Sequence, residues 1–315
     1  MFVSQAVELH TAASAVFPLL LPSGTSGLAA SSSTHSVFSM IKHLFIDLDD
    51  TLWDTYHNNK SSLEELYHTY AWDRYFDSFE TFFSIYLPHN EALWSEYRYG
   101  QIDKPTLTLE RFRRPFTGYL TLSDEQILTW NAEFLSITGR KTRLCPHALE
   151  VMEYLHRYYK VYILSNGFRE IQHAKLTNSG LAPYIDRVIL SEDAGINKPN
   201  KRIFDFALVK AKARKTESIM IGDSWEADIV GAANAGLASV WYNPNRHILP
   251  DDGVRAPMHI ISSLSELMQI FLLSCAVLFL TKRAQTSSPV IRMHIGTPFL
   301  SPVWNPSPSR FSFLT

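Results

Sequence analysis

Three observations on the sequence predict an α/β protein built on a doubly wound parallel sheet, with a helical subdomain inserted after the first strand. Between residues 40 and 271, short β-branched or aromatic runs alternate with longer segments of helical period. Several short runs are apolar on both faces, the burial that a parallel sheet covered by helices demands. About 90 residues separate the first run from the next core helix, where a connection of about 2–6 would serve, so the excess must fold as a unit of its own.

The first strand is read over residues 41–49 (IKHLFIDLD), with the inserted helical cap over residues 55–143. A helix over 146–159 leads to the strand Lys160–Ser165, the helix Arg169–Asn178 to the strand Arg187–Leu190, and the helix Lys201–Ala211 to a strand over 217–222. A helix over 225–235, the strand Ala238–Tyr242 and a closing helix over 263–271 complete the pattern. The catalytic core is thus expected over residues 40–54 and 144–271. Most aromatics of the insertion, from Tyr67 to Tyr86, recur at three- and four-residue spacing and are read as helix core, with Trp53, Trp94 and Tyr97 as candidates to face a ligand.

The flanks differ in composition. Residues 1–39 carry one charge, Glu8, and residues 272–315 carry Lys282, Arg283, Arg292 and Arg310. The first flank lacks the basic residues of a signal or transit peptide and is read as an extension upstream of a true start at Met40. The second, with Pro289, Pro298, Pro302, Pro306 and Pro308, is read as a disordered tail.

Lys and Arg total 29 against 31 Asp and Glu, a net charge of −2 that offers no footprint for a nucleic acid polymer. No apolar run reaches the ~20 residues of a membrane helix, and two cysteines build neither a disulfide framework nor a four-thiolate zinc site. A cytoplasmic protein without a membrane partner is the expectation.

The chemistry gathers at strand ends, where a doubly wound sheet collects its ligands. The first strand ends in Asp47-Leu48-Asp49-Asp50-Thr51, and strand alternation sets Asp47 and Asp49 on one side. Two carboxylates so close either share a proton or take a divalent cation. A calcium loop is excluded, because Leu52 and Asn58 stand where it needs Gly and Glu. The second strand ends in Ser165-Asn166-Gly167, a hydroxyl beside a backbone that can approach an anion. Lys198 follows the third strand as the counter-charge a phosphate needs, and the fourth ends in Gly222-Asp223 with Asp228 one helical turn on.

In order and in element context these residues resemble the four motifs of the haloacid dehalogenase-like hydrolase superfamily, over residues 41–271. More narrowly the chain is similar to the YjjG-type pyrimidine 5′-nucleotidases. The shared features are Ala92-Leu93-Trp94, Tyr97 and Gly100-Gln101-Ile102 in the insertion, then Ser165-Asn166-Gly167-Phe168, the run Lys198-Pro199-Asn200-Lys201-Arg202-Ile203-Phe204-Asp205, and Asp228 followed by Asn234-Ala235-Gly236-Leu237-Ala238. The resemblance implies that Asp47 is the nucleophile and forms an aspartyl-phosphate, that Asp49 is the general acid and base, and that Ser165, Asn166 and Lys198 bind the phosphoryl group. It further implies magnesium, or manganese, held by Asp47, the Asp49 backbone carbonyl and Asp223, with Asp228 orienting a metal-bound water.

The expected reaction is metal-dependent hydrolysis of a nucleoside 5′-monophosphate. Sugar-phosphate phosphatases, phosphoglycolate phosphatases and phosphomutases share the motifs and differ mainly in the cap. A haloacid dehalogenase needs neither a metal nor the second aspartate, so Asp49 and Asp223 count against it. A non-catalytic phosphate-binding protein would be expected to lack one of Asp47, Asp49 or Asp223, and all three are present.

Overall fold

A computed structural model describes residues 40–271. The expectations for residues 1–39 and 272–315 lie outside the described residues. Among the described residues, β1 (His43–Ile46), β2 (Lys160–Ser165), β3 (Arg187–Leu190), β4 (Ser218–Gly222), β5 (Ala238–Tyr242) and β6 (His259–Ile261) form one sheet. The order is β3-β2-β1-β4-β5-β6 and every pairing is parallel. Chain order reverses between β1 and β4, so the tips of those two strands flank the switch point of the sheet.

Alternation along β1 sends Leu44 and Ile46 to one face and Phe45 to the other. The first face packs on Val151, Met152 and Leu155 of helix α5 (Ala148–His156) and on Leu264, Leu267 and Phe271, all buried. The second packs on Ile203 and Phe204 of helix α8 (Lys201–Ala211). Each such side chain contributes about 1.5–3 kcal/mol by leaving water.

Four details depart from the expected elements. β1 ends at Ile46 rather than Asp49, because the chain then turns: the amides of Leu52 and Trp53 both donate to the Leu48 carbonyl at 2.9 Å, with Asp50 left-handed at φ 58°. β6 was not expected; three residues are too few to display a period. A short helix, α7 (Ser191–Ala194), follows β3. The segment 225–235 is not one α-helix but a π-turn, Trp225–Val230, followed by α9 (Gly231–Ala235). The wider turn lets the Asp228 and Ile229 amides share the Ser224 carbonyl, at 3.0 and 3.3 Å, while the Asp228 side chain folds back beneath the tip of β4.

After β1 the chain enters a helical segment comprising α1 (Thr55–Thr69), α2 (Phe79–Arg98), α3 (Lys104–Phe116) and α4 (Asp124–Arg140). Asp54, Ser78, Asp103 and Ser123 cap them by accepting from the amides of His57, Thr81, Thr106 and Gln126, and Ser123 and Gln126 form a capping box. Trp72 is wholly buried between these helices, its ring within 4.9–6.0 Å of Phe82, Phe112, Phe116 and Trp130. The entering and leaving strands of this segment are clasped together. Asp54 donates its amide to the Arg143 carbonyl, and the Arg143 Nε donates to Asp54 Oδ2 at 2.7 Å.

Candidate active site

A cavity of about 420 Å³ opens at the carboxyl ends of β1, β2 and β4. Its sheet side holds Asp47, Asp49, Ser165, Asn166, Lys198, Asp223 and Asp228, so every predicted site residue lines it. Trp94 and Tyr97 of α2 also line it, packed against Phe168 with ring centroids 5.1–5.8 Å apart. Trp53 does not line it. Its indole is fully buried beneath β1, donating to the Lys141 carbonyl at 3.3 Å, because the turn after Asp49 directs it into the core.

Lys198 is the buried hub. Its ammonium donates to Asp47 Oδ1 at 2.6 Å, Asp228 Oδ1 at 2.7 Å and the Leu164 carbonyl at 2.7 Å. Asn166 positions it: the Asn166 Nδ2 donates to the Lys198 carbonyl at 3.0 Å and its Oδ1 accepts the Lys198 amide at 2.9 Å. That leaves Asn166 one side-chain N–H and its backbone to offer an anion. Ser165 is likewise engaged, its Oγ accepting from the Gly167 amide and from Gln172 Nε2 at 2.9 and 2.7 Å, which leaves its hydroxyl proton to donate.

Two glycines permit this density. A Cβ on Gly222 would lie 2.2 Å from Asp228 Oδ2, and one on Gly167 would lie 1.9 Å from Gln172 Nε2 and 3.0 Å from Asp49 Oδ2.

Asp49 is held by residues that the sequence reading did not single out. Lys175 pairs with its Oδ1, Gln172 Nε2 donates to its Oδ2 at 2.6 Å and Thr55 Oγ1 donates to Oδ1 at 3.2 Å. Lys175 also sits 4.2 Å over the Trp53 ring. Burial pushes Asp49 upward, but Lys175, Gln172 and Thr55 outweigh it and hold the carboxyl below the ordinary aspartate range. Asp49 is therefore a carboxylate in this arrangement. The available signal for Lys175 and Gln172 was their three-residue spacing beside Ile171 and Leu176 on the buried face of helix α6 (Arg169–Asn178).

Asp47 and Asp223 move the opposite way. Burial pushes Asp47 up to about 7 against the pull of Lys198, with Asp228 and Asp49 adding to the rise. Burial and the charges of Asp47, Asp228 and Asp50 raise Asp223 well above its usual value, relieved in part by the Thr51 hydroxyl at 2.9 Å. The carboxylates of Asp47, Asp223 and Asp228 offer oxygens within 4.8 Å of one another. When ionised, the buried Asp47 and Asp228 and the half-buried Asp223 carry three charges against one ammonium, that of Lys198. An oxygen-only donor set with an excess of two negative charges suits a hard divalent cation.

The chain belongs to the haloacid dehalogenase-like hydrolase family, which it matches over residues 41–236. It is a hydrolase of phosphoric monoesters. Two relatives are similar over most of their length. Pyrimidine 5′-nucleotidase YjjG of Escherichia coli (strain K12) is 31% identical over 228 residues, covering 72% of this chain and 96% of the relative. Pyrimidine 5′-nucleotidase PynA of Streptococcus pneumoniae is 31% identical over 228 residues, covering 72% and 93%. Among solved structures, the magnesium-bound HAD-hydrolase YfnB of Bacillus subtilis superimposes with a TM-score of 0.65 at 25% identity, covering 73% of this chain and 98% of that one. No helix among the described residues is long and apolar enough to cross a membrane.

Proposed function

We infer that the protein hydrolyses pyrimidine nucleoside 5′-monophosphates with magnesium, or manganese, as cofactor, and that the helices of residues 55–143 act as the cap that selects the substrate. The observation that carries this reading is the shape of the cavity, which joins the aspartate–lysine site at the strand tips to an aromatic wall of Trp94, Tyr97 and Phe168. The lower end suits a phosphate and the upper end a planar base, for which a stacked contact is worth about 1–3 kcal/mol. The similarity to YjjG and PynA supports a pyrimidine as that base.

In this reading an Asp47 oxygen attacks phosphorus, and the bond to the nucleoside 5′-oxygen breaks as an aspartyl-phosphate forms. Ser165 and the Asn166 backbone amide hold the phosphoryl oxygens, and Lys198, whose three donors are engaged by Asp47, Asp228 and the Leu164 carbonyl, supplies the neighbouring positive charge. Asp49 gives the departing oxygen a proton, then takes one from the water that cleaves the acyl phosphate and releases inorganic phosphate. Asp49 starts as a carboxylate, so it must gain a proton first. A phosphate dianion bound beside it adds negative charge and raises its proton affinity in that direction. Asp47, Asp223 and the Asp49 backbone carbonyl would hold the cation, with Asp228 behind them. When bound, the cation neutralises charge between nucleophile and phosphate.

A phosphate-release panel tests the assignment. UMP, dUMP and dTMP should show higher kcat/KM than purine nucleotides, ribose 5-phosphate or phosphoglycolate, and chelation should abolish release. A best substrate without a base would end the nucleotidase reading and leave the phosphatase chemistry standing. Metal-independent halide release from a haloacid would overturn both.

A further inference from the structure

Arg111 is the buried arginine of α3, and it has no carboxylate partner among the described residues. Its neighbours do: Arg113 pairs with Glu110 and Asp124, and Arg114 with Glu96. Arg111 is 3% exposed and makes one hydrogen bond among the described residues, from Nη1 to Asn131 Oδ1 at 3.3 Å, while its Nε is buried without an acceptor. Phe134 and Trp94 flank the guanidinium, ring centroids at 5.4 and 5.9 Å. On α4, Thr138 is 1% exposed and its Oγ1 also lacks a partner among the described residues, although a helical threonine can bond the carbonyl three or four residues back. Both residues line the same cavity as Asp47.

A buried guanidinium with donors to spare and an orphan hydroxyl are unfavourable in an empty protein and become favourable when a ligand brings acceptors. Neither residue lies at the strand tips that would hold the phosphate, and Trp94 and Phe134, the rings beside the Arg111 guanidinium, line the cavity as well. We propose that Arg111 and Thr138 are the specificity contact for the base, reading the ring carbonyl oxygen that uracil, thymine and cytosine carry in common. Asn131 positions the guanidinium by accepting from Nη1. The proposal deepens the nucleotidase reading and rests on it.

The test measures kcat/KM for UMP and for ribose 5-phosphate, which has the phosphate and sugar but no base, in the wild type and in Arg111→Met and Thr138→Val. Arg111→Met should lower the UMP to ribose 5-phosphate ratio about 10- to 100-fold, chiefly through KM for UMP, as expected for loss of a charged hydrogen bond. Thr138→Val removes an unpaired hydroxyl at nearly constant shape, so it should melt no lower than the wild type while lowering the same ratio. That variant decides the matter if Arg111→Met fails to fold. An unchanged ratio in folded variants overturns the proposal and leaves the nucleotidase reading intact. A wild type that prefers ribose 5-phosphate overturns that reading and this one together, and the wild-type arm alone reveals it.

Discussion

Replacing Gly222 by alanine should damage the fold and the chemistry through a single atom. The new Cβ would lie 2.2 Å from Asp228 Oδ2, 2.4 Å from its Cγ and 2.8 Å from its Cβ, where ordinary contact begins near 3.4 Å. Neither side can yield cheaply. β4 is buried along its length and bonded to β1 and β5, and Asp228 is fully buried, accepting from Lys198 Nζ at 2.7 Å and from the Ser224 amide at 3.1 Å. Overpacking costs about 1–3 kcal/mol, and loss of a hydrogen bond to a charged group about 1.5–3 kcal/mol more. Together they amount to roughly 2.5–6 kcal/mol, or ~5–24 °C in melting temperature at about 2–4 °C per kcal/mol for a domain of this size. Displacing Asp228 also frees Lys198 from one of its anchors, so phosphate release should fall with stability. Thermal unfolding of Gly222→Ala, Asp228→Ala and the double variant measures the coupling. Without the Asp228 carboxyl the alanine meets less obstruction, so its penalty should shrink in the double variant. A Gly222→Ala protein melting within ~2 °C of wild type, with full activity, would refute the packing argument.

Asp47→Asn should abolish turnover while preserving the fold, because the amide is a poor nucleophile of the same shape; steady-state phosphate release with thermal melting checks both. Asp49→Asn should slow release from UMP by ~10²–10⁴-fold and from nitrophenyl phosphate far less, since that leaving group needs little protonation; equal loss on the two substrates would move Asp49 to a positioning role. Magnesium should raise the melting temperature of the chelated protein, by the equivalent of ~2.7 kcal/mol at a hundredfold excess over Kd, because it relieves repulsion among Asp47, Asp223 and Asp228. The shift should vanish in Asp223→Ala, as calorimetry or a dye-based melt would show.

The parts of the molecule legible in the sequence share a physical cause. A strand buried on both faces must be apolar throughout, so Ile219, Met220 and Ile221 announce β4, and the first polar residue after the run marks the tip where ligands gather. Asp47, Ser165 and Asp223 were readable for that reason: each stands within a residue of a strand end, and the parallel register of β2, β1 and β4 brings the three ends together. Lys198 was readable only in company, as the cation that so many carboxylates require. β6 escaped because three residues carry no period, and the π-turn because its cause is a tertiary demand, the return of Asp228 to Lys198 and the Ser224 amide.

Helix-borne groups obey a different logic. Lys175 lies 126 residues from Asp49, and Arg111 and Thr138 are held by helices whose own pattern reads as plain packing. On a helix every third or fourth residue faces inward, so a buried lysine or arginine looks in sequence like a solvated one that missed the stripe by a residue. Only the partner distinguishes them. For Lys175 that partner is Asp49, within the chain. For Arg111 no carboxylate is found among the described residues, and a cation in that position is completed by what enters the cavity.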